Sequence, residues 1–365
     1  MKTLVKGLHH ITLCPGGAQE DVDFFTQVMA QRLVKQTVLM DGSIPIYHLY
    51  YGNADADVGS ITTTFPYSRK PDRSGSGQLS ATTYTVPNGA TRFWADHFDR
   101  HKVEHSGIQE RFGRKYVRVK HPAGLLFEVM EEPVDSRNAW TTKQVGKDVG
   151  TRGFFGAVLS VRDVRDQEQF FTEALGFTKV GVDGPYHRFQ AGEGAGTIID
   201  LHHEPDRAPG SWGFGAGTAH HIALNLETDE ALIQQKARYE ELGFTDASEV
   251  KDRFYFHSMY VRSPGGILVE CTSNVPGGFY QDEAPEELGT HLLLPPWFEE
   301  QRAAIVAQLE PITVPEENRP AAGSVKRLAL SAVEGPAAAA PATAQQPAVP
   351  LSRYKADFDA NKQTT

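Results

Sequence analysis

Residues 7–13 alternate between apolar and polar side chains as a half-buried strand does. Residues 21–29 (DVDFFTQVM) then change to helical spacing, with acidic side chains at the start. Three short apolar runs follow, at 31–40, 45–51 and 59–65, completing one βαβββ unit. The pattern returns with a strand at 78–86, a helix at 90–101 and a last strand ending in Gly-Leu-Leu-Phe-Glu-Val at 124–129. A third copy opens at 154–161, and its helix at 164–175 carries Phe170-Phe171-Thr172 where the first copy has Phe24-Phe25-Thr26. A fourth begins at His220, with a helix over 230–242 and the same Leu-Gly-Phe-Thr exit (242–245) as the third (175–178). Repetition at this period sets the architecture. The expectation is an α+β fold of four βαβββ modules forming two domains, the modules spanning 1–67, 78–134, 153–204 and 217–274.

Beyond 274 the repeat ends. Residues 295–309 (PPWFEEQRAAIVAQL) predict one amphipathic helix within a C-terminal helical extension at 275–315. From 316 to 365 Ala, Pro and Gln dominate, with too few large apolar residues for a core, which predicts a disordered tail. The glycine-rich stretch at 204–217 precedes a strand rather than opening a helix, so it is not a phosphate loop. A flap beside the site and an inert loop are its two readings.

The 365 residues carry a net charge of −10, which argues against a nucleic-acid or membrane partner, since either would need a basic face. Two cysteines, Cys14 and Cys271, make no disulfide framework and suit a reducing cytoplasm. No apolar run approaches the roughly 20 residues of a membrane helix.

The candidate chemistry falls at matched positions of the repeat. In each copy's last strand a glycine stands four residues before a marked position, giving Thr63, Glu128, Asp200 and Glu270. The first strands carry His9-His10 in copy one and His220-His221 in copy four, against 80–84 in copy two and 157–160 in copy three. Pairing copy one with copy four brings one histidine of each pair together with Thr63 and Glu270. Pairing two with three brings two carboxylates and no histidine. Sequential pairing would separate the histidines, so modules 1 and 4 are expected to pair around a metal and modules 2 and 3 without one. Two imidazoles and a carboxylate suit Fe(II), with Mn(II) also compatible, and leave positions open for substrate and dioxygen. Neighbours on a strand face opposite ways, so one histidine per pair should reach the cavity, and parity does not say which. His202-His203 has no partner on the first strand of copy two and reads as a surface or domain-edge pair.

Four segments, 8–12, 41–50 (DGSIPIYHLY), 196–212 (GTIIDLHHEPDRAPGSW) and 260–270 (YVRSPGGILVE), resemble the vicinal oxygen chelate superfamily. The resemblance is closer to its hydroquinone ring-cleavage dioxygenases, and runs from about residue 8 to 274. It implies Fe(II) held by the second histidine of each pair, hence His10 and His221, with Glu270. It also implies roles around the metal for His9, Thr12, His220, Arg253 and Tyr260. The implied reaction opens a hydroquinone ring beside a hydroxyl and puts both atoms of O2 into the product, in a cytoplasmic enzyme of aromatic degradation. A homo-oligomer is compatible with the sequence. The rival readings are a catechol-cleaving or glyoxalase-like member of the superfamily, and a metal-free binder of small molecules.

Overall fold

The computed structural model describes residues 3–39, 44–211, 213 and 215–316. Its strands form two eight-stranded sheets. The first runs in the order β14 (Lys251–Asp252), β15 (Phe256–Arg262), β16 (Leu268–Asn274), β13 (Thr218–Asn225), β1 (Leu8–Cys14), β4 (Ile61–Thr64), β3 (Tyr47–Gly52) and β2 (Arg32–Val38). The second runs β10 (Thr178–Asp183), β11 (Tyr186–Gln190), β12 (Ile198–His203), β9 (Phe154–Val161), β5 (Gln78–Val86), β8 (Leu126–Glu131), β7 (Arg114–Lys120) and β6 (His105–Arg111). Copies one and four therefore share a sheet through the antiparallel β1–β13 pair, and copies two and three through β5–β9. This is the pairing that the histidine positions predict. Each sheet curls into a half-barrel, in an α+β fold.

The halves are joined by matched hydrogen bonds. Leu8 donates its N–H to the Gly196 carbonyl and Phe154 donates to the Gly59 carbonyl, both at 2.7 Å. Arg137 ties the same junction, donating to the carbonyls of Gly59 and Phe154. Gly7 sits here at φ +126°, where a Cβ would come within 2.7 Å of the Gly196 carbonyl oxygen, so only glycine fits. Helices α1 (Ala18–Asp23), α2 (Ala90–His101), α3 (Val164–Gln169) and α4 (Asp229–Glu241) pack against the sheets. In copies one and three the helix runs straight into a π-helical turn, Phe24–Val28 and Phe170–Ala174, on the repeated Phe-Phe-Thr. The wider turn accommodates two consecutive buried rings set nearly perpendicular, at 89° for Phe24/Phe25 and 86° for Phe170/Phe171. One apolar core runs through both halves and includes Phe25, Trp94, Phe127, Phe154, Phe171 and Tyr239.

The C-terminal extension corrects one expectation. In place of a single helix over 295–309, the chain forms a 3₁₀ turn at Pro296–Gln301 and a short α5 (Arg302–Val306). Only Ile305 of these two elements is buried. With so little apolar burial, nothing offsets the cost of extending a helix. The tail expected at 316–365 lies, after Glu316, outside the described residues.

Candidate metal centre

The β1–β13 pair carries two bulges, and both fall on histidines. Leu8 faces Leu224 and His10 faces Ala223, which makes His9 the extra residue on β1. Thr12 faces His221 and Leu13 faces Ala219, which makes His220 the extra residue on β13. A bulge breaks the alternation of a flat strand. The expectation of one cavity-facing histidine per pair holds for the first pair, where His10 lines the cavity, and is corrected for the second, where His220 and His221 both do. The second sheet has its bulges at Ser80 on β5 and Phe155 on β9. The places of His10 and His221 are taken there by Ala81 and Gly156, so the match in copy three lies slightly upstream of the expected 157–160.

His10, His221 and Glu270 converge, and all three are buried. His10 Nε2 lies 3.0 Å from His221 Nε2 and 3.0 Å from Glu270 Oε2, and His221 Nε2 lies 2.8 Å from Glu270 Oε2. Three ligands on one face of an octahedron, with bonds of about 2.1 Å, would be separated by about 3 Å. The proton positions support the same fit. Asn274 Oδ1 can only accept, so His9 Nε2 donates to it across 2.8 Å. Burial, and then the neighbouring His10, lower the His9 pKa to about 3, so its ring is neutral and its Nδ1 accepts. His10 Nδ1 donates to that nitrogen at 2.8 Å, which leaves His10 Nε2 as the ring atom turned toward His221 and Glu270. A metal ion bound between His10 Nε2 and the Glu270 carboxylate would use both as ligands at this spacing. Neither Glu270 oxygen accepts a well-formed hydrogen bond among the described residues. Burial would raise the Glu270 carboxyl, but His221 and His10 hold it well below the usual carboxylate range. A buried carboxylate flanked by two imidazoles, with no lysine or arginine paired to it among the described residues, fits a metal ion.

Around this centre, Thr12 Oγ1 lies 2.8 Å from His221 Nε2 and 2.7 Å from Thr63 Oγ1. His220 Nδ1 lies 2.7 Å from His221 Nδ1, the counterpart of the His9–His10 contact. Arg253 donates to the Tyr260 hydroxyl at 3.5 Å, and both residues line a cavity of about 340 Å³ that reaches His10 and His221. Burial, and then the Glu270 charge, push the Tyr260 pKa up, so its hydroxyl keeps its proton. Leu39, Phe65, Phe256 and Leu268 supply apolar wall. Every expected site residue therefore lies at or beside the three-residue cluster.

Sequence reasoning missed Asn274, His48 and Tyr50. The last two lie in the DGSIPIYHLY segment, whose likeness to relatives was the available signal. The described residues of 204–217 do not line the cavity; they pair with the linker through Pro71–Ala216 and Ser76–Pro209 bridges. His202 stacks on Tyr186 and lies 3.3 Å from Glu204, away from the cluster.

Residues 154–271 match the family model of the glyoxalase/bleomycin resistance protein/dioxygenase superfamily. The chain is 38% identical to a chlorohydroquinone/hydroquinone 1,2-dioxygenase of Sphingobium indicum, covering 81% of this chain and 93% of that one. It is 37% identical to a candidate ring-cleaving dioxygenase, MhqO, of Bacillus subtilis, covering 85% and 97%. A crystal structure of a Bacillus subtilis protein titled as a candidate dioxygenase superposes with a TM-score of 0.80 at 37% identity, covering 86% and 99%. Glyoxalase I from Zea mays, at 13% identity and a TM-score of 0.53, shares the fold. The chain belongs to the vicinal oxygen chelate superfamily. Within it, the chain is an oxidoreductase of the ring-cleaving dioxygenase class. Among the described residues no helix is long and apolar enough to cross a membrane.

Proposed function

We propose that the protein is an Fe(II)-dependent dioxygenase that opens a hydroquinone ring beside one hydroxyl, with both atoms of O2 entering the product. The observation that carries this reading is the convergence of His10, His221 and Glu270 beside a cavity of about 340 Å³, ample for an aromatic ring. It is supported by the relative named for chlorohydroquinone and hydroquinone. The three residues would hold the metal, which when bound supplies a Lewis acid and a common attachment point for phenolate and dioxygen.

The remaining roles belong to side chains. His9 and Asn274 fix His10 in the tautomer whose Nε2 lone pair faces the centre. His220 stands at the far nitrogen of His221, Nδ1 to Nδ1 at 2.7 Å, and can orient that ring, while Thr12 Oγ1 lies beside the ligating Nε2. Tyr260 keeps its proton and offers a hydrogen bond to a substrate oxygen, and Arg253 orients that hydroxyl. Phe65 and Phe256 limit water around the ring.

The test is oxygen uptake by anaerobically Fe(II)-loaded protein, with hydroquinone and catechol in parallel and ring-opened product followed by absorbance. Uptake with hydroquinone well above catechol is expected. Uptake with catechol alone would move the reaction to the extradiol type, and no uptake by iron-bearing protein would remove ring cleavage altogether.

A further inference from the structure

Ring cleavage of a para-diol leaves one hydroxyl at the far end of the ring from the metal, and that hydroxyl needs a partner inside a cavity with apolar walls. The cavity holds a side chain suited to this and not used by the chemistry above. His48 on β3 is 7% exposed and lines the cavity, and its Nε2 is buried with no hydrogen-bond partner among the described residues. An unpaired buried imidazole nitrogen is costly, so a ligand that pairs it gains affinity.

The register places His48 at the right remove. Tyr50 on β3 faces Thr63 on β4, which faces Thr12 on β1, which faces His221 on β13, a continuous row across the sheet. His48 lies two residues from Tyr50 on the same strand and face, and its ring centroid is 4.5 Å from that of Phe65. It thus stands two strands over from β1, about 10 Å at ordinary strand spacing, so a ring can lie between it and the centre.

The proton on His48 is set by its neighbour. Its Nδ1 lies 2.9 Å from the Tyr50 hydroxyl, the one hydrogen bond that hydroxyl makes among the described residues. Burial, and then the Glu270 charge, keep the Tyr50 hydroxyl protonated, and Nδ1 is the acceptor within its reach among the described residues, so donating there is what satisfies that proton. Burial, and then His10, hold the His48 ring neutral, so its proton sits on Nε2.

We propose that His48 Nε2–H binds the distal hydroxyl of the substrate, with Tyr50 as the positioning residue that fixes the tautomer, and that this contact selects para-diols over simple phenols. The inference rests on the hydroquinone reading and goes beyond it by naming the group that reads the second hydroxyl.

The test compares Fe(II)-loaded wild type with His48→Leu and His48→Gln. Anaerobic dissociation constants are measured for hydroquinone and for phenol, which lacks the distal oxygen, and oxygen uptake is measured with hydroquinone. In His48→Leu, hydroquinone binding should weaken by about 10–100-fold while phenol binding moves less than about threefold. His48→Gln, which keeps an N–H donor, should recover part of the loss. Wild-type turnover of hydroquinone with both ligands weakened equally in His48→Leu would overturn the His48 assignment and leave ring cleavage standing. Absence of wild-type hydroquinone turnover would remove the reading, and the assignment with it.

Discussion

The two half-barrels put a buried carboxylate at the same place and neutralise it in different ways. In the half built from copies two and three, Glu128 on β8 and Asp200 on β12 are satisfied by protein cations. Arg111 meets Glu128 at 2.7 Å and Asp200 at 3.0 Å, Arg118 meets Glu128 at 2.6 Å and Arg188 meets Asp200 at 2.7 Å. Thr83 donates a further hydrogen bond to Glu128, and the Arg111 guanidinium lies between the rings of Tyr116 and Tyr186. In the half built from copies one and four, Glu270 has two histidines beside it and no arginine within ion-pair distance among the described residues. Three guanidinium groups against two carboxylates leave that cluster at +1. Around Glu270 the partners are two imidazoles, with no arginine to balance the carboxylate among the described residues. The scaffold is the same, and the source of counter-charge decides whether it becomes a structural network or a place for a metal.

This contrast is broken most strongly at Glu270. In Glu270→Ala, ring-cleavage activity should fall roughly 10³-fold or more along with iron content, while thermal unfolding changes little. Parallel oxygen-uptake and elemental measurements read this, and an active, iron-bearing Glu270→Ala protein would refute the ligand role. Glu128→Ala should do the opposite. It takes a carboxylate from buried Arg111, which keeps only Asp200 of the two, and from half-buried Arg118, costs about 3 kcal/mol in urea unfolding, and leaves turnover per folded molecule close to wild type.

Acid sharpens the same difference. Burial would raise the Glu128 carboxyl, but Arg111 and then Arg118 lower it from 4.5 to about 2. Its contribution is therefore complete above pH 4.5 and is lost as pH falls toward 2, because the unfolded chain takes up the proton first. The loss is of order 3 kcal/mol. Stability between pH 4.5 and 2 should decline less steeply in Glu128→Gln than in wild type, and equal slopes would count against this assignment.

Smaller effects are expected on the histidine chain. His9→Ala should weaken Fe(II) affinity by about 10–100-fold, since His10 loses the partner that fixes its tautomer. Asn274→Ala, one bond further out, should weaken it by less than about tenfold. Anaerobic metal titration ranks the two, and a larger effect at Asn274 would contradict the order of the chain.

Much of the difference between the halves was legible in the sequence. The repeat and the carboxylate positions follow from strand and helix periodicity, because those patterns are local, and the one-with-four pairing follows from where the two histidine pairs fall in the repeat. The bulges at His9 and His220 were not legible, since a bulge is defined by the facing strand. Nor were Arg111, Arg118 and Arg188. They sit in polar, alternating stretches that read as solvent-facing, and only the curl of the second sheet turns them inward onto Glu128 and Asp200. His48 was hidden for a related reason: its distance from the centre depends on three inter-strand registers that no single segment encodes.

Of the two halves, only the one carrying Glu270 is expected to take a metal. This is tested most directly by the stoichiometry of anaerobic Fe(II) binding in wild type, Glu270→Gln and Glu128→Gln. The account predicts one iron per chain in wild type and in Glu128→Gln, and none held tightly in Glu270→Gln. Two irons per chain in wild type, or one retained in Glu270→Gln, would contradict it.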